Sequence, residues 1–381
     1  MKIVLDARWI FPEITGIGSY TRELIQQLAR LDRHNDYVLL FASEELRTRT
    51  AAETDWDAAP NFSAQVLPYG LFSVTNQWQL PRWLRTQKAD LYHSPNFMIP
   101  LTAFPRHRRG RTAAVVTIHD LIPLRFPEWT PRALKSRFHP LYRGIMREVA
   151  ARADHIITVS QTSRNDILEC LLPTTAAASR VTAIYNGVNA NFAPPAAPPA
   201  TATPPTILYV GRMDPYKNVP DLIRIFSELV NQDGLDARLR LIGPRDPRYP
   251  QVEATIAATG IGDRVDWPGY VSGDELRQAY QQATVFVMPS LYEGFGLPVL
   301  EAMACGTPVV CSNRASLPEV AGNAAWLLDP TDHTGWRQAL KTLCTQPDQA
   351  AQWRAKGLAR AAEFTWTRTA EQTIQVYHEL G

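Results

Sequence analysis

The chain has 381 residues, more than one ordinary hydrophobic core accommodates, so two domains are expected. Its apolar fraction of 45% and charged fraction of 20% favour a globular protein over a disordered one. A formal net charge of +2 gives no support to general nucleic-acid binding, and no apolar run approaches the roughly 20 residues that span a bilayer.

The amino-terminal segment MKIVLDARWI carries Asp6 and Arg8 inside its apolar run, so we do not expect it to be a signal peptide. The four cysteines show no metal-ligand spacing. Two of them, Cys305 and Cys311, lie beside apolar residues, as small core residues do in proteins of a reducing compartment. These features predict a cytoplasmic protein.

Apolar, β-branched runs alternate with helical patterns along the first half of the chain. The segment SYTRELIQQLARL is typical of a helix, because apolar residues recur at helical spacing from Tyr20 to Leu28. Strand–helix alternation of this kind predicts a parallel sheet covered on both faces. The predicted strands of this half are Lys2–Leu5, Tyr37–Phe41, Leu91–His93, Ala114–Ile118, His155–Val159 and Val181–Tyr185.

The second half repeats the alternation after a proline-rich segment, NFAPPAAPPATATPPT. Proline at this density excludes helix and sheet interior and favours a stiff, extended connection. We therefore predict a first domain over residues 1–190, a linker over 191–205 and a second domain over 206–365. Two doubly wound sheets joined in this way bind ligands at the carboxyl ends of their strands, across a cleft. The predicted strands of the second half are Thr206–Val210, Leu239–Ile242, Thr284–Met288, Pro308–Cys311 and Ala325–Leu327.

The segment TILYVGRMDPYKNVP places two cations, Arg212 and Lys217, directly after a predicted strand. Arginine as a planar fork and lysine as a point charge suit a diphosphate. Two ordinary solvated loop cations are the alternative interpretation.

The segment SLYEGFGLPVLEAMACGTPVV follows another predicted strand and holds two glutamates, Glu293 and Glu301, around a glycine-broken turn. Gly294 and Gly296 allow the backbone to approach a ligand closely, and Pro298 fits the first turn of the next helix. Unpaired amides at the start of that helix favour a phosphate. The two carboxylates do not share a helical face, so they are expected to reach different parts of one ligand. The alternative is a loop charge and a surface residue.

Taken together, VGRMDPYKN and YEGFGLPVLEAMACGTPVV resemble glycosyltransferase family 4, whose members are retaining enzymes with the GT-B fold of two doubly wound, Rossmann-like domains. The resemblance includes that family's E-x7-E motif, carried by Glu293 and Glu301. It extends over nearly the whole chain, through TGIGSYTRELIQQL, TIHDLIPLRFPE, ITVSQTSRNDI and IYNGVN, which recur in bacterial polysaccharide members.

The resemblance implies that the second domain binds a nucleotide-diphosphate sugar. Glu293 would bind the hexose, Glu301 the ribose hydroxyls, and Arg212 and Lys217 the leaving diphosphate. The base would be held largely by main chain at Tyr270 and Val271. The turn that would cradle sugar and phosphate consists of Gly294, Phe295, Gly296 and Leu297.

The resemblance assigns the first domain to the acceptor. Gly16 and Gly18 would form a loop that closes on the phosphate, and His119 would face the reacting sugar. A lone histidine after an apolar strand is often structural, but the HDLIP context and the strand end favour a functional role for His119. His93 also ends a predicted strand facing the cleft, and both interpretations remain open for it. The last helix, over residues 366–381, would cross back to the first domain, anchored by Phe364 and Trp366.

We expect no metal and no cofactor, because preorganised cations and amides can stabilise the departing diphosphate. An Asp-x-Asp sequence at Asp55–Asp57 lies in an irregular polar stretch and is not expected to bind a metal. No carboxylate nucleophile with a partner acid is evident. This fits the front-face mechanism proposed for the family, in which the leaving phosphate takes the acceptor proton.

Two rival functions compete with this interpretation. A nicotinamide enzyme is disfavoured, since GIGSYT has Thr21 where the third glycine of the dinucleotide motif belongs. A non-catalytic nucleotide-sugar binding protein stays open on sequence alone.

The segment TIHDLIPLRFPEW most resembles mannosyltransferases of surface-polysaccharide assembly, so GDP-mannose is the favoured donor and a UDP-hexose the alternative. The acceptor would be a glycan or a lipid-linked saccharide. A basic stripe and the loop PRHRRGR suggest peripheral contact with an anionic membrane, against the alternative of a solvated face. The stripe consists of Arg132, Lys135, His139, Arg143 and Arg147.

Overall fold

The computed structural model describes residues 1–13, 15–130, 137–196 and 204–381. The chain divides into two compact units by its internal contacts. The first comprises Met1–Arg125, Phe138–Gly187 and Thr365–Gly381, and the second comprises Phe126–Arg137 and Val188–Phe364. Part of the predicted linker and the predicted basic residues Arg132 and Lys135 lie outside the described residues. Among the described residues, no helix combines the length and apolar character needed to cross a membrane.

The first unit is built on a parallel sheet of seven strands in the order β3-β2-β1-β4-β5-β6-β7. In its centre, Ile3 of β1 pairs with Tyr37 of β2 on one side and Leu91 of β4 on the other. The strands are β1 (Lys2–Leu5), β2 (Asp36–Phe41), β3 (Phe62–Val66), β4 (Leu91–Ser94), β5 (Ala113–Ile118), β6 (His155–Thr158) and β7 (Val181–Ala183).

Helices cover both faces of this sheet, so its strands are apolar on both sides. Val4 of β1 belongs to the core on one face, and its neighbours Ile3 and Leu5 belong to the core on the other. The helices are α1 (Gly16–Leu31), α2 (Glu44–Thr54), α3 (Val74–Thr86), α4 (Ile122–Arg125), α5 (His139–Arg152) and α6 (Gln161–Cys170).

The second unit is built on a parallel sheet of six strands in the order β10-β9-β8-β11-β12-β13. Because β8 and β11 are neighbours, with Ile207 paired to Val285, the loops that follow them leave the sheet side by side. The strands are β8 (Thr206–Val210), β9 (Arg238–Ile242), β10 (Val265–Gly269), β11 (Val285–Met288), β12 (Val309–Ser312) and β13 (Trp326–Leu328).

The helices of the second unit bury an apolar stripe against this sheet. In the first of them, Leu222, Phe226 and Leu229 are fully buried at helical spacing in one core with Val285. The helices are α7 (Val219–Asn231), α8 (Gln251–Thr259), α9 (Gly273–Gln282), α10 (Leu297–Ala304), α11 (Leu317–Ala321), α12 (His333–Thr345) and α13 (Pro347–Ala361).

Two strands, β3 and β10, were not predicted from the sequence, and both lie at sheet edges. The sequence of β3, FSAQV, alternates between buried and more exposed residues instead of forming an apolar run. The sequence of β10, VDWPG, contains Pro268 and Gly269, which are tolerated at an edge and argue against a central strand. The other strands lie within two residues of their predicted bounds.

The last helix, α14 (Trp366–Leu380), packs against α1 in the first unit. Trp366 and Tyr377 are buried in the same core as Tyr20. The Tyr377 hydroxyl lies 2.6 Å from Nδ1 of His93, and Nε2 of His93 lies 2.9 Å from Oγ1 of Thr117. His93 is fully buried, and burial, with a smaller contribution from His119, lowers the pKa of His93 to about 3. His93 is therefore a neutral, hydrogen-bonded interior residue, in agreement with the structural interpretation of its position.

We expect Tyr377→Phe to lower the free energy of unfolding by about 1–3 kcal/mol, because it leaves a buried ring nitrogen of His93 without its partner. Chemical denaturation of the full chain measures the change. Tyr270→Phe is the matched control, since the Tyr270 side chain is 65% exposed. Equal stability of the two variants would contradict the importance of the bond.

Candidate active site

The loop after β8 carries Arg212 and Lys217 and is tied to the loop after β11. The amide of Leu291 donates to the carbonyl oxygen of Tyr216 at 2.7 Å. The hydroxyl of Tyr209, at the end of β8, donates to the carbonyl oxygen of Arg212 at 2.7 Å. Two loops that are far apart in sequence therefore form one surface at the carboxyl ends of adjacent strands.

Lys217 and Glu293 form an ion pair on this surface. Nζ of Lys217 lies 2.7 Å from Oε1 and 2.9 Å from Oε2 of Glu293, so it donates to both carboxylate oxygens. Only 12% of the lysine side chain and 9% of the glutamate side chain are exposed. Burial acts to lower the pKa of Lys217, but the charge of Glu293, the neighbouring Tyr216 and Tyr209 and the hydrogen bond to Glu293 together outweigh it and raise the pKa well above its usual value. Lys217 is therefore charged at any physiological pH.

Arg212 differs from Lys217 in its exposure. Its Nε lies 2.8 Å from Oδ2 of Asp214, and 61% of its side chain is exposed while that of Asp214 is 4% exposed. The sequence predicted two cations suited to a diphosphate. The structure pairs each with a carboxylate and, of the two, leaves Arg212 open to solvent.

The turn from Gly294 to Leu297 has a backbone that requires glycine. Gly296 adopts a φ of +108°, and a Cβ there would lie 2.7 Å from Cδ2 of Leu317. Helix α10 begins at the next residue, with Pro298 in its first turn. Ser316 Oγ lies 2.9 Å from the carbonyl oxygen of Glu293 and 2.8 Å from that of Phe295, so it holds the turn from behind. Ser316, which follows β12, was not predicted from the sequence.

Glu301 lies inside α10 and accepts a hydrogen bond from the buried hydroxyl of Tyr280, 2.8 Å from its Oε2. Burial raises the pKa of Glu301 to about 7, and the Tyr280 hydrogen bond partly opposes that rise. Tyr280, on α9, packs edge to face against Phe192 and Phe286. No sequence motif pointed to Tyr280, because its contact with Glu301 depends on the packing of α9 beside α10.

We expect Tyr280→Phe to weaken nucleoside-diphosphate binding roughly tenfold and to move the pH dependence of that binding upward. The reason is that the lost hydrogen bond lowers the pKa of the Glu301 carboxyl in the wild type, and a charged hydrogen bond contributes about 1.5–3 kcal/mol. Calorimetric titration between pH 5.5 and 8.5 measures both effects. Tyr377→Phe, which removes a buried hydroxyl from the first unit, serves as control, and an unshifted pH midpoint would count against the assignment.

Tyr270 and Val271 follow β10 and precede the start of α9. Ser272 caps that helix reciprocally with Glu275, which fixes the backbone where the two residues leave the sheet. This geometry is compatible with main-chain recognition of a base, which remains a prediction.

In the first unit, Gly16 and Gly18 lie in the first turn of α1, where the sequence analysis expected a loop. Thr15 caps the helix, and its Oγ1 accepts from the amide of Gly18 at 3.0 Å. Amides at a helix start also favour a phosphate, and phosphate binding by Gly16 and Gly18 stays a prediction.

His119 follows β5 and is held from two sides. Its Nε2 lies 2.9 Å from the carbonyl oxygen of Pro95, which can only accept, so this nitrogen carries a proton. The ring of Tyr20 packs edge to face at 4.9 Å. Asp120 accepts from the amide of Ile122 at 3.0 Å and so orients local backbone.

Among the described residues, no group of three or more histidine, cysteine, aspartate or glutamate side chains is placed to hold a metal ion. Asp55 ends α2, and the rest of the Asp-x-Asp sequence continues into a short 3-10 helix, Trp56–Ala58. The chemically distinctive arrangement of the second unit is thus the ion pair, the exposed arginine, the glycine turn and the Glu301–Tyr280 pair.

Comparison with known proteins places these features in a family. Residues 14–192 match the model of Glycosyltransferase Family 4, and residues 195–360 match that of Glycosyl transferases group 1. The O-antigen chain mannosyltransferase B of Escherichia coli is 32% identical over 409 aligned residues, which cover 100% of both chains.

Solved structures are similar in fold at lower sequence identity. Sucrose-phosphate synthase from Thermosynechococcus elongatus has a TM-score of 0.74 at 22% identity, covering 100% of this chain and 98% of that one. Anabaena Alr3699/HepE in complex with UDP-glucose has a TM-score of 0.72 at 17% identity, covering 100% of both.

Two parallel α/β sheets with these structural relatives define a glycosyltransferase of the GT-B fold. The chain belongs to glycosyltransferase family 4, and it is a hexosyltransferase enzyme.

Proposed function

We propose that this protein transfers mannose from GDP-mannose, with retention of configuration, to a glycan or lipid-linked acceptor in surface-polysaccharide synthesis. The observation that carries the proposal is the buried Lys217–Glu293 pair beside the glycine turn, with Glu301 within the helix that follows. The full-length similarity to an O-antigen chain mannosyltransferase supports the choice of mannose and of the pathway.

The proposed chemistry uses residues of the second unit to stabilise negative charge. Departure of the nucleoside diphosphate builds charge on its phosphates, and Arg212, Lys217 and the amides at the start of α10 supply fixed positive partners. Glu293 binds hexose hydroxyls, and Glu301 accepts from the ribose hydroxyls. Donor binding therefore redistributes the hydrogen bonds of Lys217 between Glu293 and phosphate oxygens.

The proposed retaining step has the acceptor hydroxyl attack the anomeric carbon on the face that the diphosphate leaves. The acceptor proton passes to the leaving phosphate oxygen, so the new glycosidic bond forms as the old one breaks. His119 contacts the sugar from the first unit. The start of α1 at Gly16 and Gly18 contributes to binding of the phosphate, with the Gly18 amide exchanging its Thr15 hydroxyl partner for a phosphate oxygen. No metal or cofactor is included in this scheme.

A panel of nucleotides tests the proposal. GDP, UDP, ADP and CDP are compared by thermal shift, where a ligand at 100 times its dissociation constant adds about 2.7 kcal/mol of stability. The matching sugar nucleotide is then incubated with acceptor, and the anomeric configuration of the product is read by NMR. Inversion of configuration, or turnover with no nucleotide sugar, would overturn the proposal.

A UDP-hexose is the second candidate donor, favoured by the UDP-glucose complex of a protein similar in fold. The same panel separates the two candidates. GDP should give the larger thermal shift if the donor is GDP-mannose, and UDP should give the larger shift if the donor is a UDP-hexose. Binding of a sugar nucleotide without transfer or hydrolysis would instead support a non-catalytic binding protein.

We also propose that the first unit approaches an anionic membrane surface. Phe138 and Leu141, at the start of α5, are 57% and 65% exposed, and the exposed Arg143 and Arg147 lie on the same helix. Apolar side chains beside arginines suit the boundary between headgroups and acyl chains. His139 does not belong to this face, since its ring is half-buried and its Nε2 lies 3.0 Å from the carbonyl oxygen of Leu124.

We expect the double variant Phe138→Ser, Leu141→Ser to lose most co-sedimentation with phosphatidylglycerol vesicles, while donor affinity stays unchanged. Val74→Ser, on the exposed start of α3, is the control because Val74 is 75% exposed. Equal recovery with anionic and neutral vesicles, insensitive to salt, would contradict membrane docking.

A further inference from the structure

The first unit contains a basic cavity that the proposed reaction does not use. Its volume is about 300 Å³, and it lies where the chain enters β5, β6 and β7, at the amino ends of these strands. The ionisable residues that line it are His107, Arg108, Arg109, Arg152, Asp154 and Arg180.

Three guanidinium groups of this cavity lack a neutralising carboxylate. Arg152 is paired with Glu148 at 3.0 Å. Within the part of the chain that the structure describes, no carboxylate lies within 4.0 Å of Arg108, Arg109 or Arg180. The cavity therefore carries an excess of positive charge at any physiological pH.

The carboxylate in the lining is turned toward the sheet. Oδ2 of Asp154 accepts from the amide of Ala114 at 2.8 Å. Burial raises the pKa of Asp154, while that hydrogen bond and the charges of Arg109 and Arg180 oppose the rise. Asp154 thus balances at most one of the three cations.

Two of the three cations, Arg109 and Arg180, are held in place by backbone contacts. Arg180 Nη1 donates to the carbonyl oxygen of Ala153 at 3.0 Å, and Arg109 donates to the carbonyl oxygen of Leu380 at the end of α14. The amide of His107 donates to the carbonyl oxygen of Ala151 at 2.8 Å, which fixes the basic loop against the end of α5. Order of this kind lowers the entropy cost of binding an anion.

The cavity is separate from the donor-facing residues of the same unit. It lies before β5, whereas His119 follows β5. A strand of this length spans about 20 Å at 3.3 Å per residue. The cavity and His119 therefore lie at opposite ends of the strands of this sheet.

We propose that this cavity is a binding site for a phosphate-bearing anion, with Arg108, Arg109 and Arg180 as its ligands. Arginine binds phosphate oxygens through paired N–H donors, and the volume accommodates a diphosphate group. The phosphate is carried either by a soluble diphosphate or by a lipid headgroup, and both present the same oxygens to the site.

Inorganic pyrophosphate is the first probe, titrated calorimetrically at an ionic strength held constant with chloride. We expect Arg108→Gln to weaken its binding roughly tenfold without lowering the melting temperature of the ligand-free protein, because Arg108 is exposed and has no hydrogen bond or ion pair with the described residues. Arg82→Gln, an exposed residue of α3, removes the same charge elsewhere and is the control. The double variant Arg109→Gln, Arg180→Gln should abolish the Arg108-dependent component.

A second arm uses vesicles of phosphatidylglycerol and of phosphatidylcholine, with the same variants. If Arg108→Gln weakens the binding of pyrophosphate, the ligand is a soluble anion. If it weakens only the binding of anionic vesicles, the ligand is a lipid headgroup. If Arg108→Gln and Arg82→Gln behave alike toward both probes, the cavity is not an anion site. The Phe138→Ser, Leu141→Ser variant should leave pyrophosphate binding unchanged, which keeps this site distinct from the proposed membrane face.

Discussion

Glu293→Gln should lower kcat by roughly 10²–10³ while leaving the affinity for the bare nucleoside diphosphate undiminished. The contact with hexose hydroxyls strengthens as charge develops at the anomeric carbon, and loss of one well-placed polar group at a reacting centre has an effect of this size. Glutamine is chosen because its carbonyl oxygen still accepts from Lys217, so the nearly buried ammonium keeps a hydrogen bond.

The Lys217–Glu293 ion pair explains why the affinity for the bare nucleoside diphosphate should not fall in this variant. In the wild type the charge of Lys217 is compensated by Glu293, whereas in the variant the same charge faces the diphosphate alone. Binding of the bare diphosphate, which has no hexose, should therefore be equal or tighter. Glu253→Gln, an exposed carboxylate of the same unit, is the control for kcat. Weaker diphosphate binding in Glu293→Gln would contradict the assignment to the hexose.

Glu301→Gln should raise the dissociation constant of the nucleoside diphosphate by roughly tenfold to a hundredfold, with a smaller effect on kcat. The ribose does not react, so its contact is nearly uniform through the reaction and appears mainly in the donor KM. A charged hydrogen bond of about 1.5–3 kcal/mol accounts for the magnitude. Since burial raises the pKa of Glu301 to about 7, wild-type affinity should fall as pH decreases below 7, and the variant should lose this dependence.

The Glu301 carboxyl should also make stability depend on pH, in the opposite direction to diphosphate affinity. The folded state raises the pKa of Glu301 from 4.5 to about 7, so it binds more protons than the unfolded chain between these values. The free energy of unfolding of the ligand-free protein therefore falls as pH rises through that window. Glu301→Gln should remove the loss and melt at a higher temperature than wild type at pH 8. A variant that is both less stable and normal in diphosphate binding would show Glu301 to be structural.

The turn around Gly296 could be predicted from the sequence because its determinants are local. Glycine, proline and the following apolar run specify the backbone within a few residues. The Lys217–Glu293 pair could not be, since its members are 76 residues apart and meet only because β8 and β11 are neighbours in the sheet. The Tyr280–Glu301 pair depends in the same way on the packing of α9 against α10.

His93 illustrates a limit of reasoning from strand position. It lies one residue before the end of β4, but its side chain contacts a buried residue from far along the chain, Tyr377. No local pattern encodes a contact between positions 93 and 377. The edge strands β3 and β10 were missed for a different reason, because strands at an edge need no continuous apolar run.

The route of the chain through the first unit has a consequence for its biosynthesis. Ribosomes release the amino terminus first, and domains usually fold in that order. Here the core around Tyr20 is completed by Trp366 and Tyr377, which are translated after the strands and helices of the second unit. The sheet of the second unit, completed at Leu328, is available earlier. Although its first strand is translated before the second unit, the first unit can therefore complete its core only after the second unit has been synthesised.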